Sequence, residues 1–370
     1  MQRNMDDWQP GGPRDVEAMK TITLIPGDGI GPEVTAAARA VVDASGAAIA
    51  WEEAPAGMKV GKECGNPLPA SVFESLERNR VALKGPTQTP FGEPYRVWRD
   101  VPGPTGAAMT RTYPSVTIAL RREFELFANV RPVRNYPNAG GRYEGVDIVL
   151  FRENSEDLYL GLERMVDPDT AEAIKRITRA GCERIARFAA DYKQRTGRKR
   201  VTIGHKSNVL KLTDGMFLKV CGETLAASPG LEVDSRVIDA LCMELVVKPE
   251  TFDCLLLPNL YGDIVSDLAA GLVGGLSMAP GANIGAGHAM FEAVHGSAPD
   301  IAGRDVANPM SMILSAVMML RYLGEGATAD RIDQALAAVL VAGKTVTRDL
   351  GGGAGTGAMT AAIVGEPKRR

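Results

Sequence analysis

Two aspartates, Asp263 and Asp267, stand four residues apart in the segment that follows an apolar run at 252–257. A helix there would place both carboxylates on one face, where their like charges repel unless a cation binds between them. Carboxylate oxygens are hard ligands that select Mg²⁺ or Mn²⁺. Asp239 also follows an apolar run, which makes it a candidate third ligand. The alternative is that these acids only stabilise the positive end of a helix.

Three arginines, Arg121, Arg131 and Arg152, lie at or near the ends of predicted elements. A guanidinium group binds a carboxylate through two parallel hydrogen bonds. A cluster of three would therefore suit a substrate with several carboxylates. The alternative is three separate arginines on the surface.

Tyr159 and Lys206 occupy polar segments, 153–159 and 204–208, and each segment follows an apolar run. A phenol and an amine at such positions can donate and accept protons during a reaction. From the sequence pattern alone, each could equally be an ordinary residue of a surface loop.

Glycine-rich segments occur at 27–33, 281–285 and 295–303. The first does not match the Rossmann fingerprint Gly-x-Gly-x-x-Gly, because Val34 stands where the third glycine is required. Pro32 instead indicates a tight turn that leads directly into a helix. The two later segments consist of small residues, which allow a ligand to approach the backbone closely.

The composition is that of an ordinary globular protein, with 370 residues, 45% hydrophobic and 24% charged. This length suits two domains or one large α/β unit. A net charge of −3 and only 5% aromatic residues argue against partners such as nucleic acid or anionic membrane. The five cysteines form no Cys-x-x-Cys pair, which predicts free thiols in a reducing cytoplasm.

Apolar runs and helical periodicities alternate along the chain and predict an α/β fold. The predicted strands cover 21–25, 81–83, 146–151, 200–204, 233–238 and 252–257. The predicted helices cover 33–45, 71–79, 116–127, 170–193, 213–225, 241–247, 263–271, 311–324 and 330–342.

Three further segments are predicted to lack regular structure in whole or in part. Residues 92–114 are rich in proline and glycine and are expected to form a loop. The apolar stretch 268–291 holds too many glycines and prolines for a membrane helix and is expected to be a helix followed by loops. Residues 1–19 have charges but no apolar core, which predicts a flexible extension rather than a signal peptide.

Taken together, these segments resemble the β-decarboxylating dehydrogenases, the family of isocitrate, isopropylmalate, homoisocitrate and tartrate dehydrogenases. The resemblance runs from about residue 20 to 353, and its C-terminal third is most similar to NAD-dependent isocitrate dehydrogenases. The motifs that carry it are 25–33 (IPGDGIGPE), 119–122 (ALRR), 129–132 (NVRP), 259–263 (NLYGD) and 295–300 (HGSAPD).

The resemblance implies an α/β fold of the isocitrate/isopropylmalate dehydrogenase type, which is not a Rossmann fold and has two domains with a cleft between them. Residues 20–127 and 275–370 would form a large, discontinuous cofactor-binding domain. Residues 128–274 would form a small domain with the dimer interface. Each active site would then use residues of both subunits in a homodimer or a higher homo-oligomer.

The same resemblance implies a role for each polar residue singled out above. Asp263 and Asp267, with Asp239 from the partner subunit, would hold Mg²⁺ or Mn²⁺. Lys206 from the partner would take the proton of the substrate hydroxyl, and Tyr159 would protonate the enol left after loss of CO₂. The implied substrate-binding residues are Ser115, Thr117, Arg121, Arg131, Arg152 and Asn208.

A dinucleotide is the implied cofactor. Asp300 would accept hydrogen bonds from ribose hydroxyls and repel a 2′-phosphate, so NAD is favoured over NADP. The implied cofactor-binding residues are Thr89, Asn283, His295, Gly296, Ser297, Ala298, Asp300, Ile301 and Asn308.

The implied substrate is a 3-substituted malate, and the favoured reaction converts isocitrate to 2-oxoglutarate and CO₂. Ser115 and Thr117 correspond to positions that contact the distal substituent, and their hydroxyls suit an anionic group better than an isopropyl group. Homoisocitrate stays open, because Thr117 stands where isocitrate enzymes often have asparagine.

The segment 92–114 is longer than the family pattern and adds Arg96, Arg99 and Arg111. It is interpreted either as a surface insertion or as a pocket for a more highly charged group such as a phosphonomethyl analogue. A further alternative is a regulatory, non-catalytic subunit of a hetero-oligomeric isocitrate dehydrogenase. The presence of all five proposed proton-transfer and metal residues argues against that alternative.

Overall fold

The computed structural model describes residues 19–90, 95–103 and 107–366. The predicted extension, residues 1–19, lies outside these ranges except for Met19. Within them, no helix is both long and apolar enough to cross a membrane. The chain forms two compact units: the central unit is Phe127–Leu276, and the terminal unit combines the described chain before Phe127 with that from Ser277 onward.

The first part of the terminal unit begins with an apolar strand, β1, and a tight turn into helix α1, which has a proline in its first turn. Its elements are β1 (Lys20–Ile25), α1 (Gly31–Ser45), β2 (Ile49–Glu53), α2 (Met58–Cys64), α3 (Ala70–Asn79), β3 (Val81–Lys84), β4 (Val97–Pro102), β5 (Ala108–Tyr113) and α4 (Val116–Glu123).

The prediction of a loop over 92–114 is wrong for much of its length. Strands β4 and β5 pair antiparallel, from Val97 opposite Tyr113 to Pro102 opposite Ala108. Of the prolines and glycines that suggested a loop, Pro102 and Gly103 lie at the end of β4. Gly92, Pro94, Pro104 and Gly106 lie outside the described residues. Pro102, the last residue of β4, is tolerated because this two-stranded ribbon has an open edge.

The central unit is built on a sheet with the strand order β11-β10-β12-β7-β6, in which only the β6–β7 pair is antiparallel. Buried leucines, valines and isoleucines of its strands and helices form one core. Its elements are β6 (Ala128–Arg134), β7 (Asp147–Glu153), β8 (Glu163–Asp167), β9 (Thr170–Ala173), α5 (Arg179–Thr196), β10 (Arg200–His205), α6 (Thr213–Ala226), β11 (Glu232–Val237), α7 (Ile238–Val247), β12 (Cys254–Leu257) and α8 (Asn259–Leu272).

The helix predicted over 170–193 begins later in the structure, at Arg179. Residues 170–173 form strand β9 and pair with β8 in a short exposed hairpin. Thr178 sets the start of α5, because its hydroxyl accepts a hydrogen bond from the amide of Gly181 at 3.1 Å.

The last part of the chain completes the terminal unit, whose sheet has the order β13-β14-β3-β1-β2 with an antiparallel β13–β14 pair. The prediction of loops before residue 291 is wrong, because both β13 and β14 lie there and every residue in them is buried. The elements are β13 (Pro280–Ile284), β14 (Ala289–Ala293), α9 (Met310–Tyr322), α10 (Gly326–Ala342) and α11 (Thr356–Gly365).

Candidate active site

The two aspartates of α8 lie one turn apart at the edge of the central unit. The Asp263 carboxylate accepts hydrogen bonds from Arg152 and, at 3.4 Å, from Nη2 of Arg131. The Asp267 carboxylate lies 3.4 Å from Nη1 of Arg131. Their side chains remain 39% and 53% exposed, so both carboxylates are accessible to a ligand.

The two arginines reach this point from adjacent antiparallel strands, Arg131 from β6 and Arg152 from β7. The Arg152 stem lies against Gly262, where a Cβ atom would stand 2.6 Å from its Cγ. Its Nε donates to Oδ1 of Asn259 at 2.9 Å. Its Nη2 is buried and has no hydrogen-bond partner among the described residues, which leaves a donor for a bound carboxylate.

Tyr159 lies on a short 3₁₀ helix, Asp157–Leu160, that follows β7. Its hydroxyl donates to Oδ2 of Asp263 at 2.5 Å, and the Arg152 guanidinium stands 4.9 Å from its ring centre. Burial raises the pKa of Tyr159 above its ordinary value, and the bond to Asp263 adds to this against the opposing charge of Arg152. The phenol therefore holds its proton at neutral pH.

The carboxylate pair of α8 has the chemistry of a divalent-cation site. Burial and the neighbouring charge of Asp263 raise the pKa of Asp267, while Arg131 opposes them. A bound cation would relieve this repulsion. Among the described residues, however, no group of three His, Cys, Asp or Glu side chains is arranged to hold a metal. The pair fits Mg²⁺ or Mn²⁺ only if further ligands come from substrate, water or another chain.

The structure places the predicted third ligand, Asp239, elsewhere in the central unit. Asp239 lies in the first turn of α7, and its Oδ1 accepts a hydrogen bond from Nζ of Lys206 at 2.7 Å. That hydrogen bond is the main reason why the pKa of Asp239 lies below its ordinary value. Asn208, two residues after Lys206, is exposed. Lys206 and Asp239 thus form a pair at the surface of the single chain.

Arg121 is half-buried and contacts a buried polar cluster of the terminal unit, made of Lys84, Asn283 and Glu292. Its Nε donates to Oδ1 of Asn283 at 3.0 Å, and its Nη2 lies 3.2 Å from Oε1 of Glu292. Nζ of Lys84 donates to Oε2 of Glu292 at 2.9 Å. Burial would raise the pKa of Glu292, but the charges of Lys84 and Arg121 outweigh it and lower this pKa to about 2.

Lys84 and Glu292 are not among the residues predicted for the site, although each is a charged residue within an otherwise apolar strand. That pattern could have identified them, since a buried charge requires a partner. Asn283, which is predicted to bind the cofactor, donates from its amide to Oε1 of Glu292 at 2.8 Å. Ser115 caps α4 by accepting a hydrogen bond from the amide of Ile118 at 3.1 Å, and Thr117 lies in the same first turn.

Two glycine-rich segments of the terminal unit lie against each other. The amide of Ile30 donates to the carbonyl of Ser297 at 2.8 Å, and a Cβ atom on Gly29 would stand 1.9 Å from that carbonyl. The first segment is thus a tight structural turn, in agreement with its failure to match the Rossmann fingerprint.

The remaining proposed cofactor residues occupy loops of the same unit. His295 has a pKa below its ordinary value because of burial, and its buried Nε2 has no hydrogen-bond partner within the described ranges. Asn308 donates to Asp349 at 2.9 Å and accepts from the amide of Met310 at the start of α9. Thr89, Gly296 and Asp300 are exposed, while Ala298 and Ile301 are half-buried.

The arginines of the β4–β5 hairpin are paired with carboxylates. Nη1 of Arg99 and Nη1 of Arg111 lie 2.7 and 2.9 Å from the Glu123 carboxylate, and Arg99 also contacts Glu77 at 2.6 Å. Tyr113 donates to the same carboxylate of Glu123. These pairings favour the interpretation of the segment as a structural insertion over that of a substrate pocket.

Comparison with known proteins gives consistent results. The chain is 41% identical over 350 residues to a probable isocitrate dehydrogenase [NAD] subunit alpha, mitochondrial, of Caenorhabditis elegans, covering 95% of this chain and 93% of that protein. It is 44% identical over 344 residues to isocitrate dehydrogenase [NAD] catalytic subunit 5, mitochondrial, of Arabidopsis thaliana, covering 93% and 87%. The crystal structure of isocitrate dehydrogenase from Methylococcus capsulatus superposes with a TM-score of 0.86 at 44% identity, covering 94% of this chain and 98% of that one.

The prediction of a cytoplasmic protein is wrong, because both eukaryotic relatives are mitochondrial by name. The predicted family and fold class are confirmed, since the family model for isocitrate/isopropylmalate dehydrogenase matches residues 21–364. The chain belongs to the isocitrate/isopropylmalate dehydrogenase family.

Proposed function

We propose that the protein is an NAD-dependent isocitrate dehydrogenase, which oxidises and decarboxylates isocitrate to 2-oxoglutarate and CO₂. One observation carries the proposal beyond family membership. The carboxylate of Asp263 meets two buried guanidinium groups and the phenol of Tyr159 within one unit. Relatives named as NAD-dependent isocitrate dehydrogenases favour this substrate over homoisocitrate or a phosphonate analogue.

Substrate binding is assigned to the arginines. Arg131 and Arg152 are buried, so their hydrogen bonds to a substrate carboxylate would be little weakened by water. The unpartnered Nη2 of Arg152 would donate to such a carboxylate. Ser115, Thr117, Arg121 and Asn208 are further proposed substrate contacts.

The family implies a divalent metal, and Mg²⁺ or Mn²⁺ fits the oxygen donors of Asp263 and Asp267. When bound, the ion would supply Lewis-acid polarisation of the substrate oxygen at C2. Asp239 is proposed to complete the site from a second copy of the chain. Because Lys206 lies 2.7 Å from Asp239, the two side chains would reach a neighbouring site together.

The proton transfers are assigned to two side chains. Nζ of Lys206 would accept the proton of the C2 hydroxyl as the hydride leaves C2 for the nicotinamide. After loss of CO₂, the hydroxyl of Tyr159 would give its proton to C3 of the enol. The raised pKa of Tyr159 suits a donor that must keep its proton until that step.

NAD is the proposed cofactor, held by the loops at 295–303 and by Thr89, Asn283 and Asn308. Asp300 is exposed and would accept hydrogen bonds from the adenosine ribose. A 2′-phosphate beside this carboxylate would be repelled, which favours NAD over NADP.

The test is turnover by the purified chain with isocitrate, homoisocitrate and isopropylmalate, each with NAD or NADP. Isocitrate with NAD should give the highest kcat/KM, EDTA should abolish the activity, and Mg²⁺ or Mn²⁺ should restore it. Turnover that is unchanged by EDTA, or a preference for isopropylmalate, would contradict the proposal. Persistent inactivity of the chain alone would favour the regulatory subunit.

Shared sites in a homodimer are tested by mixing two variants. Asp263→Asn removes a residue of one half-site, and Lys206→Met removes a residue of the other. Each variant alone should be nearly inactive. Co-expressed chains should regain up to about a quarter of the activity, because half of the dimers are mixed and each of these holds one intact site. No recovery in verified mixed dimers would contradict shared sites.

A further inference from the structure

A buried charge cluster in the central unit comprises Lys175, Asp157, Asp214 and Tyr261. Nζ of Lys175 lies 2.7 Å from Oδ1 of Asp214 and 3.7 Å from Oδ1 of Asp157. It also stands 4.2 Å from the ring centre of Tyr261. Both aspartates are fully buried, and Lys175 is only 12% exposed. One ammonium group therefore faces two carboxylates in a medium that screens charge poorly.

Asp157 links the segment that carries Tyr159 to the helix that carries Asp263. Its Oδ1 accepts from the amide of Leu158 at 2.8 Å, and its Oδ2 accepts from the amide of Leu260 at 3.0 Å. The latter amide belongs to the first turn of α8, where a carboxylate is a favourable cap. The backbone of Asp157 has a φ of 73°, in the left-handed region that is unfavourable for most residues. The surrounding contacts must therefore maintain this conformation.

Asp214 holds the backbone at Lys206 in place, as Asp157 holds the segment that carries Tyr159. It lies in the first turn of α6, and its Oδ2 accepts from the backbone amide of Lys206 at 2.7 Å. Its other oxygen, Oδ1, is the one that binds Lys175. One carboxylate thus connects Lys175 to the backbone at Lys206.

Lys175 is the cation that joins these two carboxylates. It lies between β9 and α5, outside regular structure, so its position depends on the contacts of its side chain. Without the ammonium, both carboxylates would lack a charge partner in the described structure.

We propose that Lys175 is a positioning residue, which fixes the Tyr159 segment through Asp157 and the Lys206 backbone through Asp214. The inference rests on the proposed function, because that function assigns proton transfer to Tyr159 and Lys206. Lys175 would act through the two carboxylates, which hold the Tyr159 segment and the Lys206 backbone in the geometry that proton transfer requires.

The first test is Lys175→Met, which keeps the length of the side chain and removes its charge. We expect kcat to fall at least tenfold, with KM for isocitrate and NAD within about threefold, because the binding arginines and cofactor loops are untouched. The solvent deuterium isotope effect on kcat should rise, since proton transfer becomes slower. Lys219→Met, on the exposed face of α6, is the matched control and should retain wild-type values.

A second variant distinguishes loss of positioning from simple failure of Lys175→Met to fold. In Lys175→Met/Asp214→Asn the cluster loses one positive and one negative charge together, and the asparagine oxygen can still accept from the Lys206 amide. This double variant should melt at a higher temperature than Lys175→Met and regain part of its kcat. Wild-type kcat in Lys175→Met, or a change confined to KM, would overturn the proposal.

Amide hydrogen exchange of the substrate-free protein separates this proposal from the proposed function. Exchange should accelerate at 156–162 and 205–210 in Lys175→Met and in the double variant, but not in Lys219→Met. Unchanged exchange at both segments would overturn the positioning role, whatever the enzyme turns over. If the unaltered protein does not turn over isocitrate, the proposed function is wrong. Hydrogen exchange at 156–162 and 205–210 would still test whether Lys175 positions these two segments.

Discussion

Lys84 and Glu292 are cross-strand neighbours on β3 and β14, and their side chains form an ion pair of 2.9 Å in the interior of the terminal unit. Arg121 binds the other oxygen of the same carboxylate at 3.2 Å. Two cations thus share one anion, so these three side chains together carry a net positive charge. Such an excess suits the binding of an anionic substrate, as proposed for Arg121.

Removal of this anion should destabilise the protein strongly. Glu292→Gln would remove the carboxylate that both Lys84 and Arg121 contact, at an expected cost of about 3–5 kcal/mol in the free energy of unfolding. Thermal unfolding at neutral pH measures the effect. Glu223→Gln, in the exposed pair with Lys219, is the control and should change stability by less than about 1 kcal/mol. Equal melting temperatures for the two variants would contradict the argument.

Glu153 should make stability depend on pH. Its carboxylate is buried at the end of β7 and accepts from the amides of Ser155 and Glu156 at 3.0 Å. Burial raises the pKa of Glu153 to about 7, and these hydrogen bonds oppose the rise only in part. Because the pKa is higher in the folded protein than in the unfolded chain, the contribution to stability is complete below pH ~4.5 and is lost as pH rises through about 7.

Melting temperatures measured from pH 5 to 8 test whether the stability contributed by Glu153 falls as the pH rises. Glu153→Gln stays neutral at every pH, so its stability relative to the wild type should increase by up to about 3 kcal/mol over this range. The exposed Glu250→Gln serves as the control, and its curve should run parallel to that of the wild type. A parallel curve for Glu153→Gln as well would contradict the raised pKa.

Local sequence patterns predicted many of the elements that position the candidate site. The apolar runs at 146–151 and 252–257 are strands β7 and β12, and the four-residue spacing of Asp263 and Asp267 places both on α8. These predictions succeed because the periodicity of a strand or helix is set by residues that are close together in the sequence.

The buried charge clusters could not be predicted in this way. Lys84 and Glu292 are 208 residues apart, and their pairing depends on the register of β14 against β3. Lys175 fell within a predicted helix, because the pattern of small and charged residues there resembles the true helix that starts at Arg179. Such partners become visible only when distant strands and loops are brought together.

Loss of the Tyr159 hydroxyl should affect chemistry more than binding. Tyr159→Phe keeps the ring beside Arg152 but removes the proton donor and its bond to Asp263, so kcat should fall about 10²- to 10³-fold with little change in KM. Steady-state kinetics measure both constants. Tyr143→Phe, which loses a hydroxyl bound to the carbonyl of Val246, is the control and should retain activity. A change confined to KM would argue against proton donation.

We expect the β4–β5 hairpin to stabilise the fold and not to determine which substrate is bound. Arg99 binds Glu77 and Glu123 and lies 4.3 Å from the ring centre of Phe73, so Arg99→Ala should cost about 2 kcal/mol of stability. Arg111 is half exposed, and Arg111→Ala should cost less than about 1 kcal/mol. Neither variant should change the ratio of kcat/KM for isocitrate to that for homoisocitrate, because both guanidinium groups are bound to carboxylates of the chain itself. A tenfold change in that ratio, with stability unaffected, would instead assign these arginines to the substrate.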